Sequence, residues 1–500
     1  MGSSAAGSSE SHQPHLSPAD GISIIVGIVV GVSIFKSPPL IFGNVTGPWG
    51  LIGAWVLGGV LSLAGALCYA EMATTYHDLG GDYSYLKRAF GGWFAFLFGW
   101  SQLAATLTGS IGSLAYVFSD YALRLWGLEP GKPASATLGV GFALASVGVL
   151  TVANLIGARV GKTLQNLLTL GKLVGLGAIV LAALVAGGQQ PLAPTQEMQG
   201  PGFGLAMIFV LYAFGGWNDA AFVAAEVRDG QKNIPRVLIL GTGLVLVVYL
   251  LVNLAYWYAL GFDGVRRSSA PAADVLVAAV RHWGSGDAVA RGMERAVILM
   301  VMVSSLGAIN GLLFTGSRVY ASMGYDHRVF AFLRRWDPRL NGPVWSLLAS
   351  GVTAMLMIVL IGTESGRAVL DSGFRGVGLT PPNWSKFGGG FDTLVAVTSP
   401  IFWGFFLLTG LALFVLRKVD PDRPRPFRVP FFPLTPTLFC LASVYMLHES
   451  LSYAGELALL GLMPVALGAP LYYLDRRAYA DDQPQATRPS PAASKQREAD

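Results

Sequence analysis

Apolar residues run through this chain in long blocks, separated by short joints rich in Gly, Pro and charge. A helix needs about 20 apolar residues to cross the hydrocarbon of a bilayer. About twelve stretches reach that length, at 20–43, 49–75, 93–122, 136–157, 164–186, 203–227, 236–261, 292–320, 344–362, 392–416, 431–449 and 455–475. The pattern predicts an all-α polytopic membrane protein. Segment 80–92, "GGDYSYLKRAFGG", reads as an amphipathic gate helix along the inner face. Segments 1–18 and 477–500 read as disordered tails, and 363–391 as a long outside loop with no assigned role. No apolar leader precedes the first run, which is therefore expected to direct insertion itself.

Two of the runs are interrupted. In the first, "GVSIFKSPP" at 31–39 places Gly, Lys and two prolines where continuous helix is expected. Proline breaks a helix already running but suits the first turn of a new one. A first half-helix to about Val30, an unwound Gly31–Ile34 and a second half-helix from about Phe35 follow. In the sixth, "LYAFGGWNDAAFVAAE" at 211–226 carries Gly215–Gly216 with Asn218 and Asp219 beside them. Non-helical backbone survives at membrane depth only where protein or a watery cavity satisfies it. Either break alone is as well explained as an ordinary kink. Their corresponding places, if spans 1–5 and 6–10 are repeats, point to a transporter's binding site. The N–H groups and positive end of the half-helix near Ile34 suit a carboxylate. Free carbonyls near Val29–Val30 and Tyr212–Gly215 suit an ammonium. Together they describe the zwitterionic head of an α-amino acid.

Charge then orients the chain. Lys and Arg crowd alternate short connections (Lys87, Arg88, Arg159, Lys162, Arg228, Lys232, Arg417, Lys418), and the connections at 44–48, 187–202 and 450–454 carry none. Both termini are thereby expected on the cytoplasmic side of the plasma (inner) membrane. The 500 residues are 53% hydrophobic and 13% charged, which no single soluble core can accommodate, and the net charge of +5 follows largely from this topology. The two cysteines, Cys68 and Cys440, lie inside apolar runs and imply no disulfide framework. Six scattered histidines have no metal-ligand spacing, and protease, hydrolase and P-loop motifs are missing. No catalytic residue, metal, cofactor or nucleic-acid partner is indicated.

Three stretches carry a resemblance: "GALCYAEMATTYHDLGGDYSYLKRAFG" (65–91), "YAFGGWNDAAFVAAEVRDGQKNIPRVL" (212–238) and "SSLGAINGLLFTGSRVYASMGYD" (304–326). They resemble the amino acid–polyamine–organocation superfamily, its L-type amino acid transporter branch in particular, in register from about Gly21 to Pro430. The resemblance implies a transporter core at 19–430, with inverted repeats at 20–186 and 203–416, and two added helices at 431–476. It implies alternating access around a midplane site. The family's Gly-Ser-Gly-Ile-Phe motif falls on Gly31, Val32, Ser33, Ile34 and Phe35, whose N–H groups would hold the substrate carboxylate. Carbonyls matching Val29, Tyr212 and Gly215 would hold the amine, Tyr212 would be an aromatic gate, and Asn218 and Asn310 would line the site or its surroundings. Val32 and Ser33 depart from the family's small Ser and Gly, and Val32 would narrow the pocket. The resemblance places a heavy-chain-linking cysteine after the third span; 122–135 contain none, so no disulfide-linked heavy chain is expected.

An ionisable residue within a span is a functional candidate by default. The resemblance places Lys172 where relatives that use no sodium put a lysine, reaching Gly27 carbonyl and the hydroxyl of Ser304 or Ser305. Burial disfavours an amine's charged form, so Lys172 reads equally as proton carrier or as permanent cationic strut. Lys36 reads as snorkelling into the vestibule and, should it face the cavity, as disfavouring cationic substrates. Asp219 is left unoriented. Glu226 and Glu71 read as partners of loop arginines, and "YWY" at 256–258 as an interfacial belt. Side-chain choice is expected from Val32, Ser33, Phe214, Asn218 and residues of spans 3, 8 and 10 such as Phe402 or Trp403, and Gly216 is counted among the substrate-binding positions. The expected function is sodium-independent transport or exchange of amino acids, neutral ones foremost. A nutrient sensor or a carrier of related amines are the alternatives; an enzyme would need convergent catalytic groups at depth.

Overall fold

With no water to hydrogen-bond a spanning backbone, helices satisfy it from within their own segment. The computed structural model describes residues 15–188, 202–282, 286–376, 378–384 and 390–481, and each expected span is helical over most of its length. Among the described residues, nine helices are long and apolar enough to cross a membrane. The first span is divided into Pro18–Val29, Ser33–Lys36 and Pro38–Gly43, and the third by a π-helical turn at Gln102–Thr106. The sixth passes from α-helix at Phe203–Ala213 to 3₁₀ helix at Trp217–Glu226.

Several boundaries differ from expectation. Residues 15–18 are structured: Leu16 is buried and bridges Val227, and Ser17 caps the first helix in a box with Asp20. The twelfth span runs to Asp481. The remainder of the expected tails, 1–14 and 482–500, lies outside the described residues, as does most of 187–202. The seventh span continues to Arg267 through a turn at Gly261 (φ 70), and helices Pro271–His282 and Glu364–Gly376 occupy connections read as loops. In Glu364–Gly376 only Gly366 and Phe374 are buried, an amphipathic pattern that a hydropathy window averages away. The short helix expected within 80–92 forms at Asp82–Phe90.

Buried ion pairs hold the chain together at one end of the bundle. Glu71 is 1% exposed; Arg417 grips both its oxygens at 2.8 and 2.6 Å and the Val429 N–H donates to it at 2.7 Å. This is the partner expected for Glu71, a bidentate fork that satisfies a carboxylate well. Removing one member of such a pair strands the other, at a cost of roughly 3–5 kcal/mol. Glu71→Ala is therefore expected to lower the melting temperature in detergent clearly, whereas Glu129→Ala, at a 77%-exposed side chain, leaves it within error.

Candidate functional site

The first break starts where Val30 leaves the helical region (φ −73, ψ 72) after donating its N–H to Val26. Gly31 donates to the Val29 carbonyl at 2.7 Å. The outward half then begins at Ser33, and Ser37, itself right-handed helical, joins Ser33–Lys36 to Pro38–Gly43. Pro38 opens the second piece, as a first-turn proline should. The break is thus narrower than expected: it spans Val30–Val32, and Ser33 and Ile34 are already helical. Their N–H groups, with that of Val32, meet no backbone acceptor among the described residues. A helix start leaves such donors free by geometry.

The second break spans Phe214–Gly216. Gly216 has φ +106, and a Cβ there would sit 2.7 Å from Cγ2 of Ile28. Glycine therefore lets the two interrupted helices touch. The carbonyls at both breaks are shared with neighbouring elements. Lys172, 0% exposed on the fifth span, donates from Nζ to the carbonyls of Gly27 (2.7 Å), Val30 (2.9 Å) and Ser304 (3.2 Å). The Ser304 hydroxyl donates to Val30 at 3.1 Å, and Ser305 bonds Val301 within its own helix. Among the described residues Lys172 therefore meets carbonyls only, and the expected contact with a Ser304 or Ser305 hydroxyl is not made.

Tyr249, on the seventh span, was not among the expected site residues. Its hydroxyl lies 2.7 Å from the Val29 carbonyl and 2.9 Å from that of Ala213, linking both breaks. Its ring packs edge-on against Trp55 and Phe214. The one available signal is a tyrosine set among aliphatic residues, whose buried hydroxyl needs a partner. Tyr256, read as part of a belt, is likewise buried, with its hydroxyl 3.4 Å from the Ile34 carbonyl.

Between the breaks lies a cavity of about 150 Å³. Val29, Gly31, Val32 and Ser33 line one side and Tyr212, Gly215 and Gly216 another. The third span adds Ser110 and Ser113, and the tenth adds Thr398, Ser399, Phe402 and Trp403. Asp219 also lines it. Four expected residues stand back from this wall. Ile34 is fully buried, and Phe214 packs against Trp55. Asn218, 3% exposed, neighbours Asp82. Asn310 is buried in a separate network, accepting from Asn154 at 2.7 Å and donating to Gln165 at 2.9 Å.

The cavity shares Val32, Ser33, Tyr212 and Trp403 with a wider one of about 350 Å³, lined further out by Lys36, Asp392 and Glu449. Lys36 sits there, 4.9 Å over the Phe391 ring, so it occupies the vestibule. The opposite end is shut. Glu226 pairs with Arg318 at 2.7 and 3.0 Å, a partner within the eighth span and not in a loop. The N–H groups of His15 and Leu16 both donate to the Glu226 carbonyl at 3.0 Å. On the Asp82–Phe90 helix, buried Asp82 accepts from Tyr69 at 2.5 Å. Burial pushes its carboxyl up to about 6, with Tyr69, Thr409 and Asn218 pulling the other way.

Comparison with known proteins agrees with this geometry. An amino acid permease family model matches residues 16–464. The chain is 29% identical over 434 residues to the mouse b(0,+)-type amino acid transporter 1, covering 85% of this chain and 80% of that protein. It is 28% identical over 464 residues to the mouse large neutral amino acids transporter small subunit 2, covering 90% and 79%. It is 25% identical over 460 residues to the serine/threonine exchanger SteT of Bacillus subtilis (strain 168), covering 90% and 94%. Two broken helices around one cavity, in a chain matched along nearly its whole length, place it in the amino acid permease family as a multi-pass membrane transporter.

Proposed function

We propose that this protein is a sodium-independent exchanger of amino acids, the neutral ones included, working by alternating access. One observation carries the reading: two helix interruptions face each other across a single cavity, with free N–H groups on one side. The N–H groups of Val32, Ser33 and Ile34 would hold the substrate carboxylate. The Val29 carbonyl already accepts from Gly31 and Tyr249. The unused lone pairs of the Tyr212 and Gly215 carbonyls would therefore hold the amine, since each carbonyl can accept twice. The vestibule beyond Lys36 would be the entry side, and the end closed by Glu226 and Arg318 the cytoplasmic one, with both termini there. Similarity to a large neutral amino acids transporter subunit and to a serine/threonine exchanger supports amino acids as substrates and exchange as the mode. Counterflow in proteoliposomes with a panel of radiolabelled amino acids tests the reading; no accelerated uptake of any of them would overturn it.

Lys172 would replace a metal cation between the first, fifth and eighth spans. Its three donors are matched by three carbonyls, which favours a fixed strut over a mobile proton. Lys172→Ala is expected to cut exchange at least about tenfold, since it leaves buried carbonyls unpaired, while the protein stays monodisperse. Wild-type exchange is expected to ignore an imposed pH gradient. Proton-driven accumulation that Lys172→Ala abolishes would instead make the lysine a carrier.

Tyr249→Phe keeps the ring contacts and removes one hydroxyl shared by both breaks. Such a loss at a buried site is worth about tenfold, and it is expected as a raised KM. An unchanged KM would show that the hydroxyl does not shape the site.

A further inference from the structure

Asp219 is the one carboxylate on the wall of the inner cavity. It is 6% exposed, and no described residue hydrogen-bonds to its side chain. The charged group that acts on it is another carboxylate, Asp82, and among the described residues no cation pairs with it. Lys172 is committed to three carbonyls and Lys36 stands in the vestibule. A buried acceptor without a donor is costly, and more so when it is charged. The polarity nearby is of matching kind: Ser110, Ser113, Thr398 and Ser399 line the same cavity. Asp219 lies three residues beyond Gly216, inward from the break where the substrate head would sit. A side chain leaving that head towards the closed end would meet it.

Resting on the exchanger reading above, we infer that Asp219 selects amino acids whose side chain carries a hydrogen-bond donor, a hydroxyl or an ammonium. A donor-less side chain leaves that buried oxygen unpaired, which discriminates by about ten- to a hundredfold. The test is competition for counterflow by the full-length protein, using pairs of matched shape: threonine against valine, and lysine against norleucine. The donor-bearing member is expected to win by at least about tenfold in one pair or both, threonine marking hydroxyl and lysine ammonium selection. In Asp219→Asn and Asp219→Ala that preference is expected to fall to within about threefold. Equal competition within both pairs by the wild type would overturn the inference, as would a preference that survives in both variants. If both variants fail to fold, the wild-type ratios alone decide. Failure of every amino acid to exchange would instead defeat the exchanger reading itself.

Discussion

A carbonyl stranded in hydrocarbon costs too much to persist, so a spanning helix is broken only where something else supplies its hydrogen bonds. That constraint organises this molecule. At the first break Val30 leaves its ladder, and its carbonyl is taken by Lys172 and Ser304. Val29 is served by Tyr249 and by Gly31. At the second, Tyr249 reaches Ala213 and the Gly215 N–H closes on Tyr212. The donors left over are the N–H groups of Val32, Ser33 and Ile34. The protein thus answers the carbonyl side of the break largely by itself and leaves the amide side without backbone acceptors among the described residues.

The same constraint explains why charge appears at the two ends of the bundle in different forms. At the closed end the charges are paired and buried, as Glu226 with Arg318 and Glu71 with Arg417. Such pairs give little net stability but are costly to split, which suits contacts that define one conformation. In the vestibule Lys36 lies among solvent-facing groups and can be hydrated. The cavity therefore reaches outward through groups that tolerate water and ends inward at groups that require each other.

Much of this was legible in the sequence for identifiable reasons. Spans show because length and apolarity are fixed by bilayer thickness. The breaks show because Pro38–Pro39 and Gly215–Gly216 cannot sit comfortably inside continuous helix. Their width did not show, since nothing in Ser33 or Ile34 forbids the first turn of a helix. Orientation was harder still. Asn310 was placed by likeness, which gives a residue's position along a helix but not the face it presents; here that face meets Asn154 and Gln165. Asp219 could not be oriented because the segment from Trp217 winds as 3₁₀ helix. That advances about 120° per residue where an α-helix advances about 100°. Within three residues the two windings point a side chain in different directions.

The contacts at the breaks also differ in what they would let move. Tyr249 joins the seventh span to the first and the sixth, and its ring, with those of Trp55 and Phe214, packs the second span into the same unit. The ring contacts are short-ranged and apolar, and side chains interlocked at crystal-like density slide only as a body. Lys172 and Ser304 approach the first span from the fifth and eighth, through one flexible four-carbon stem and one hydroxyl. A point charge on a rotatable stem can follow carbonyls that shift by an ångström or more, because its donors have no fixed fork. Motion that opens the closed end is therefore better accommodated between the lysine's helix and the broken ones than between the broken ones and Tyr249. A flexible amine at this place can keep the first break's carbonyls satisfied as they shift, which a rigid packing contact could not do.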